Sequence, residues 1–378
     1  MAAYEPEPPR RGKAAQFLGG LLRVAVVLTL VLAGLYFIFT GGGRPDRHGV
    51  QNLEEERPLV GASLGDWPTD SKPLIQDFED KIGTKVDIVD VFLDWYTPFD
   101  NVSHTVGHIA GHGALAQLSW EPHGFTTRDI VEGSARTPLR DGTRPTLDEY
   151  LNDFAEGTCR VARETQQPVL IRTMHEFNGG WFWWGIGFVA PDGTHPNTNE
   201  TYRAAWIKIH DAFTSRCPGD VKFVWAVNHY SVGQNTGFMG PYPGAQYVDF
   251  IGIDGYNWGG HAQWGWQRWD AIFLEAYCAV SRQTTQPILI AEVSSTEDGG
   301  NKADWVREAF TKISGGDYPR VRGLVWFNSG KYERESKDVL DWQIDSSEAS
   351  LEAFSQGARS WHNQRSLPDG PPPERCNA

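Results

Sequence analysis

Eight short apolar runs rich in β-branched residues alternate with longer stretches of helical pattern, and few architectures accommodate that order. The runs begin near Leu59, Val86, Ala114, Val169, Val221, Val248, Ile288 and Val321. Helical pattern fills Thr146 to Thr165, Glu200 to Arg216, Trp269 to Arg282 and Lys302 to Ser314. Repeated strand–helix units predict parallel pairing. Eight of them match a (β/α)8 barrel, the TIM barrel, whose active site is built at the C-terminal ends of its strands. A doubly wound open sheet gives a similar alternation. No GxGxxG or P-loop sequence follows the first run, however, so the usual chemistry of that fold has no foothold.

At 378 residues and 40% hydrophobic content the chain can bury one large core. A net charge of −14 with scattered Lys and Arg argues against a nucleic-acid partner and suits a neutral polymer. Residues 17–40 are apolar enough to span a bilayer, and Arg10, Arg11 and Lys13 precede them. The expected organisation is a cytoplasmic tail (1–16), a transmembrane signal anchor (17–40), a solvated linker (41–57), an extracytoplasmic barrel domain (58–365) and a Pro-rich tail (366–378). The alternative is a cleaved signal peptide and a secreted chain.

Cys159, Cys217, Cys278 and Cys376 are an even number in an exported chain, which permits disulfides in three connectivities. Cys159 and Cys217 lie near the ends of consecutive expected helices and are the favoured pair; free buried thiols are the alternative.

Two glutamates follow apolar runs directly: Glu176 after Pro168 to His175, and Glu292 after Pro287 to Ala291. By strand count they lie on the fourth and seventh strands, facing each other across the mouth. Retaining glycoside hydrolysis needs such a pair, a protonated acid and a nucleophilic carboxylate about 5 Å apart. Phe177, Trp181 and Trp184 are expected to desolvate Glu176 and keep it protonated, and Tyr256 to donate to Glu292. His175 and Asn178 are candidates for binding sugar hydroxyls or positioning the glutamates. The chain holds 16 tryptophans, and indoles stack on sugar faces. Trp120, Trp181, Trp184, Trp258 and Trp326 fall at expected strand ends, where they would line a cleft. Trp206, Trp269 and Trp305 fall in helices and are expected to pack there. His104, His108 and His112 share a four-residue spacing, but no HExxH accompanies them, and no metal or cofactor is expected.

The segment His175-Glu-Phe-Asn-Gly-Gly-Trp-Phe-Trp-Trp184 resembles the acid/base motif of glycoside hydrolase family 26. Val248 to Trp258 is similar to that family's sixth strand, and Ile288 to Glu292 to its nucleophile strand. The resemblance implies a (β/α)8 barrel with Glu176 as acid/base, Glu292 as nucleophile and Tyr256 bonded to it, with retention of configuration and no metal. It also implies an endo-β-glycanase cutting β-1,4-mannan, mixed-linkage β-1,3-1,4-glucan or β-1,3-xylan. Mannan-cleaving members usually carry a His just after the third-strand Trp. Here Glu121 follows Trp120, which looks more like the glucan-cleaving branch. The expectation is therefore a membrane-anchored, monomeric glycoside hydrolase acting on a β-linked hexose polysaccharide, with β-1,3-1,4-glucan favoured over mannan. The reading from another class is a non-catalytic envelope glycan-binding protein.

Overall fold

The structure, a computed structural model, describes residues 46–65, 72–232, 237–333, 338–368 and 370–377. Eight parallel strands close a barrel in sequence order: β1 Leu59–Ser63, β2 Ile88–Asp94, β3 Leu115–Glu121, β4 Val169–Thr173, β5 Val221–Asn228, β6 Phe250–Asn257, β7 Ile288–Ser295 and β8 Val321–Phe327. All eight runs read from sequence are strands. Closure of β8 on β1 excludes the open sheet.

Strand alternation divides each run between two surroundings. Leu59, Ile88, Leu115, Leu170, Val224 and Leu289 point inward and form a small apolar layer low in the barrel. Their odd-phase neighbours, among them Val60, Val89, Ala116, Ile171 and Ile290, face the surrounding helices in a much larger core. Those helices include α2 Lys72–Ile82, α3 Phe99–His112, α4 Thr127–Glu132, α5 Leu147–Thr165, α6 Asn199–Thr214, α7 Trp269–Ser281, α8 Lys302–Ser314 and α9 Glu348–His362. Thr126, Thr146 and Thr198 each cap a helix by accepting from the N–H three residues on, which fixes where α4, α5 and α6 begin.

The domain extends past both expected boundaries. Residues 48–54, anticipated as solvated linker, form α1 (His48–Glu54), whose Val50 seals the apolar layer at the lower end of the barrel. Asn52 of α1 donates to the buried Asp87 at 2.7 Å. A composition rich in Gly and Glu concealed this because only one face of two turns is buried. At the other end, the Pro-rich tail is tied down: Leu367 is buried, and Cys376 is bonded to Cys278 of α7. Cys159 and Cys217 form the second disulfide, joining α5 to the end of α6, as expected from their helix positions. Among the described residues no helix is long and apolar enough to cross a membrane. The expected anchor at 17–40 lies outside the described residues.

Candidate active site

β4 ends at Thr173, and the chain then turns through two non-glycine residues in the left-handed region, Met174 (φ 46°) and Glu176 (φ 53°). Such conformations cost about 1–3 kcal/mol each and persist only where neighbours hold them. Three hydrogen bonds do so here. Glu176 N–H donates to Ala226 O at 3.0 Å, Tyr202 Oη to Met174 O at 2.7 Å, and Trp184 Nε1 to His175 O at 2.7 Å. The turn presents the Glu176 carboxylate at the barrel mouth, where Trp181 Nε1 donates to its Oε2 at 2.7 Å. The other two aromatic residues expected beside Glu176 are both buried in other packing. Phe177 faces the outer core against Tyr202 and Trp225, and Trp184 is fully buried, stacked behind Phe182.

Glu292 lies within β7, and simple alternation would aim it the wrong way. Leu289 and Ala291 both belong to the inner apolar layer, so residue 292 would face the helices. A bulge prevents this: Ile253 pairs with Ile290 but Asp254 pairs with Glu292, leaving Ala291 as an extra residue. The bulge reverses the phase, and Glu292 and Ser294 point inward while Val293 joins the outer core.

Both oxygens of Glu292 are held. Arg172 Nη2 donates to Oε1 at 2.8 Å and Tyr256 Oη to Oε2 at 2.6 Å. The Tyr256 bond is the one expected from sequence. Arg172 is fully buried and also donates to Asp254 Oδ2 at 2.5 Å and Ser119 Oγ at 2.7 Å, and Ser119 in turn donates to Asp90 Oδ1 at 2.7 Å. Burial works against the Arg172 charge, but Asp254, Glu292 and Asp90 outweigh it and hold the guanidinium protonated. Burial pushes Asp90 up to about 7, with Arg172 opposing. Burial likewise holds Asp254 well above the carboxylate range despite Arg172, and the charges of Glu292 and Glu176 add to the effect. Tyr256 is held well above its ordinary value by burial and by the same two glutamates. Glu176 and Glu292 thus act on one pair of side chains from opposite sides of the mouth.

At the end of β3, Glu121 Oε2 meets His123 Nε2 at 2.9 Å, and its Oε1 lies 3.6 Å from His175 Nε2. The Glu121 hydrogen bond raises the His123 pKa against the effect of burial. His175 is buried among Phe92, Phe182 and Trp184. Asn178, a candidate for binding sugar hydroxyls or positioning the glutamates, is fully buried. Its amide donates to Asn228 O and Tyr230 O, and its Oδ1 accepts from Asn228 N–H, stapling the loop after β4 to the loop after β5.

Two tryptophans expected in the cleft lie outside the barrel. Gln117, Ser119 and Glu121 occupy the inner phase of β3, so Trp120 faces outward. It stacks on Phe154 of α5 at 4.3 Å and donates to Tyr150 Oη. Trp326 is outward for the same reason, donating to Trp342 O and packed on Phe354 of α9. Their inward neighbour Phe327, with Phe92, Tyr256 and Trp342, gathers aromatic rings near Glu292 instead. Half-buried Trp258 adjoins this group at 5.3 Å from Trp342. Trp206, Trp269 and Trp305 are buried in the helix layer as expected. On α3, His112 pairs with Glu79, while the His104 and His108 rings lie 6.4 Å apart.

Arg172, Asp254, Asp90 and Ser119 were not singled out from sequence, although their signal was present. Each places a polar side chain at an inward position of an otherwise apolar strand, where burial without function is costly. Tyr230 and Trp342 lie on loops whose course carries no periodic signature.

A model of glycosyl hydrolase family 26 matches residues 85–281, more than half of the chain. The chain belongs to this family. Endoglucanase H of Acetivibrio thermocellus is 37% identical over 299 residues, covering 79% of this chain and 30% of that protein. A mannan endo-1,4-beta-mannosidase of Bacillus subtilis is 34% identical over 114 residues, covering 29% of each chain. The family 26 chain therefore spans less than a third of the length of these relatives that it matches. In fold, it resembles the solved modular endo-beta-1,4-mannanase from Cellulomonas fimi with a TM-score of 0.58 at 15% identity, over 83% of this chain and 73% of that one. The family match ends before Glu292, and the placement of that residue rests on the β7 geometry.

Proposed function

We propose that the chain is a retaining endo-β-glycanase in which Glu292 is the nucleophile and Glu176 the acid/base. The observation that carries this reading is the unequal support of the two carboxylates. Arg172 and Tyr256 fix both oxygens of Glu292, as an attacking carboxylate requires, whereas Glu176 stands on a strained turn at the mouth with Trp181 beside it. In the first step a Glu292 oxygen bonds to the anomeric carbon as the glycosidic C–O bond breaks, and the Glu176 proton passes to the departing oxygen. In the second step Glu176 takes a proton from water, and the hydroxide displaces Glu292 with net retention.

A β-linked glucan, with mixed β-1,3-1,4 linkage, is the substrate we favour. Support comes from Glu121 after the third-strand Trp and from an endoglucanase relative matched over 79% of the chain. β-Mannan is the second reading, supported by relatives named as mannan endo-1,4-beta-mannosidases over shorter stretches. The two disulfides suit an extracytoplasmic domain, with the apolar segment 17–40 as its anchor. Incubating the full-length chain with each polysaccharide and following reducing ends tests the reading. Hydrolysis with retained anomeric configuration is expected, falling by a factor of about 10²–10⁴ or more in Glu176→Ala and Glu292→Ala. Failure to cleave any β-glycan, or undiminished activity in either variant, rejects it.

A further inference from the structure

Large exposed aromatic rings are uncommon on a soluble surface, and three of them stand in a connected row at this mouth. Trp181 is 43% exposed, Tyr230 37% and Trp264 45%. Their centroids are separated by 5.9 Å from Trp181 to Tyr230 and by 6.0 Å from Tyr230 to Trp264. The rings come from three different loops, those following β4, β5 and β6, so sequence proximity does not explain their meeting. One end of the row is chemically defined, because Trp181 donates to Glu176 and the Glu176 charge reaches the Tyr230 phenol.

We infer that Tyr230 and Trp264 form a distal sugar-binding shelf on the leaving-group side of the cleft, taking pyranose rings of the β-linked backbone beyond the one that meets Trp181. The inference rests on the glycanase reading and extends it. A general acid protonates the oxygen that departs with the leaving group, so surface continuous with Glu176 through Trp181 receives that half of the chain. The successive ring spacing is close to the length of one pyranose unit. The planes tilt by 52° and then 61°, which gives a staircase suited to a twisting chain rather than a flat sheet surface suited to crystalline polymer.

The loop carrying Trp264 is held ready. Gln267 N–H donates to Asn257 Oδ1 at 3.0 Å, Trp305 Nε1 donates to Gln267 O at 3.0 Å, and Gly265 N–H closes a turn on Ala262 O at 2.9 Å. Its start passes through Gly259 (φ 52°), packed so closely on the backbone of Asp298 that a side chain has no room. A ring fixed in this way loses little freedom on binding, so stacking is converted to affinity with small entropic loss. Tyr230 is anchored likewise, through its carbonyl, which accepts from Asn178 and Asn228, and by a ring contact with buried His229 at 4.7 Å.

The test compares kcat/KM of the full-length chain on soluble β-glucan with that on an aryl β-cellobioside, whose leaving group is too short to reach the shelf. Trp264→Ala and Tyr230→Ala should each lower polymer kcat/KM by about three- to tenfold, mainly through KM, the size expected of one aromatic stacking contact. Hydrolysis of the aryl glycoside should be unchanged. Trp183→Ala removes an exposed indole that packs on Phe188 outside the row and should affect neither substrate. Polymer kinetics unaltered in Trp264→Ala, or an equal fall on both substrates, overturns the shelf while leaving the glycanase reading intact. A wild-type chain that hydrolyses neither substrate, nor β-mannan, rejects the glycanase reading and the shelf with it.

Discussion

Asp90 makes the stability of this barrel depend on pH in a direction opposite to that of most carboxylates. The group is fully buried, burial lifts it from 3.8 to about 7, and its Oδ1 is bonded to Ser119. Below pH 3.8 the group is protonated folded or unfolded and contributes no pH dependence. Between 3.8 and about 7 the unfolded chain ionises while the native one keeps its proton, so stability falls by about 1.4 kcal/mol per pH unit. Above about 7 both states are ionised and the full cost, on the order of 4 kcal/mol, is present. Asp90→Asn keeps the shape and an oxygen able to accept from Ser119, but cannot ionise. Urea unfolding of the full-length chain, disulfides intact, should therefore show the variant gaining on wild type by about 2–3 kcal/mol between pH 5 and pH 7. The two stability profiles running parallel across that interval would falsify the buried-acid assignment. A constant offset would mean that Asn merely changes packing.

Tyr256→Phe deletes the 2.6 Å donor to Glu292 while keeping the ring, and should lower kcat/KM by about 10–100-fold, the worth of a hydrogen bond to a charged group, with the melting temperature little changed. Trp120→Ala should cost about 3–5 kcal/mol in chemical denaturation yet leave KM of the folded fraction unaltered; a raised KM would place Trp120 in the cleft after all. Replacing Cys159 and Cys217 by Ser opens a cross-link between residues 58 apart and should lower unfolding free energy by about 4 kcal/mol, checked in the same denaturation assay against the Cys278 and Cys376 pair.

Much of the barrel was legible because its signal is local. Each β-type run ends where a helical pattern starts, and eight such runs leave few topologies. The catalytic candidates were legible as residue types at strand ends, and the Tyr256 bond followed from placing β6 beside β7. The two tryptophan errors share one cause. Assigning Trp120 and Trp326 to the cleft used their position along the strand but not their phase across it, and phase decides whether an indole meets sugar or helix. Phase was readable for Trp120, since Gln117, Ser119 and Glu121 are the polar members of that strand. The buried amide of Asn178 was not readable, because its partners are backbone groups of a loop 50 residues away. Helix α1 was hidden for a different reason: the surface it covers exists only once the barrel has closed.

The extra residue in β7 gives that strand two reading frames. Residues 288–291 are in the frame of the lower core, and residues 292–295 are in the frame of the mouth, with Ala291 as the shift between them. Drawing that one alanine into the ladder would leave every residue of the strand in place and yet send the Glu292 carboxylate toward the helices, whereas deleting it would remove the bulge and keep Glu292 facing inward. The same shift insulates the two halves. Leu289 packs in the apolar layer below the shift and Glu292 at the mouth above it, so the two side chains answer to different neighbours.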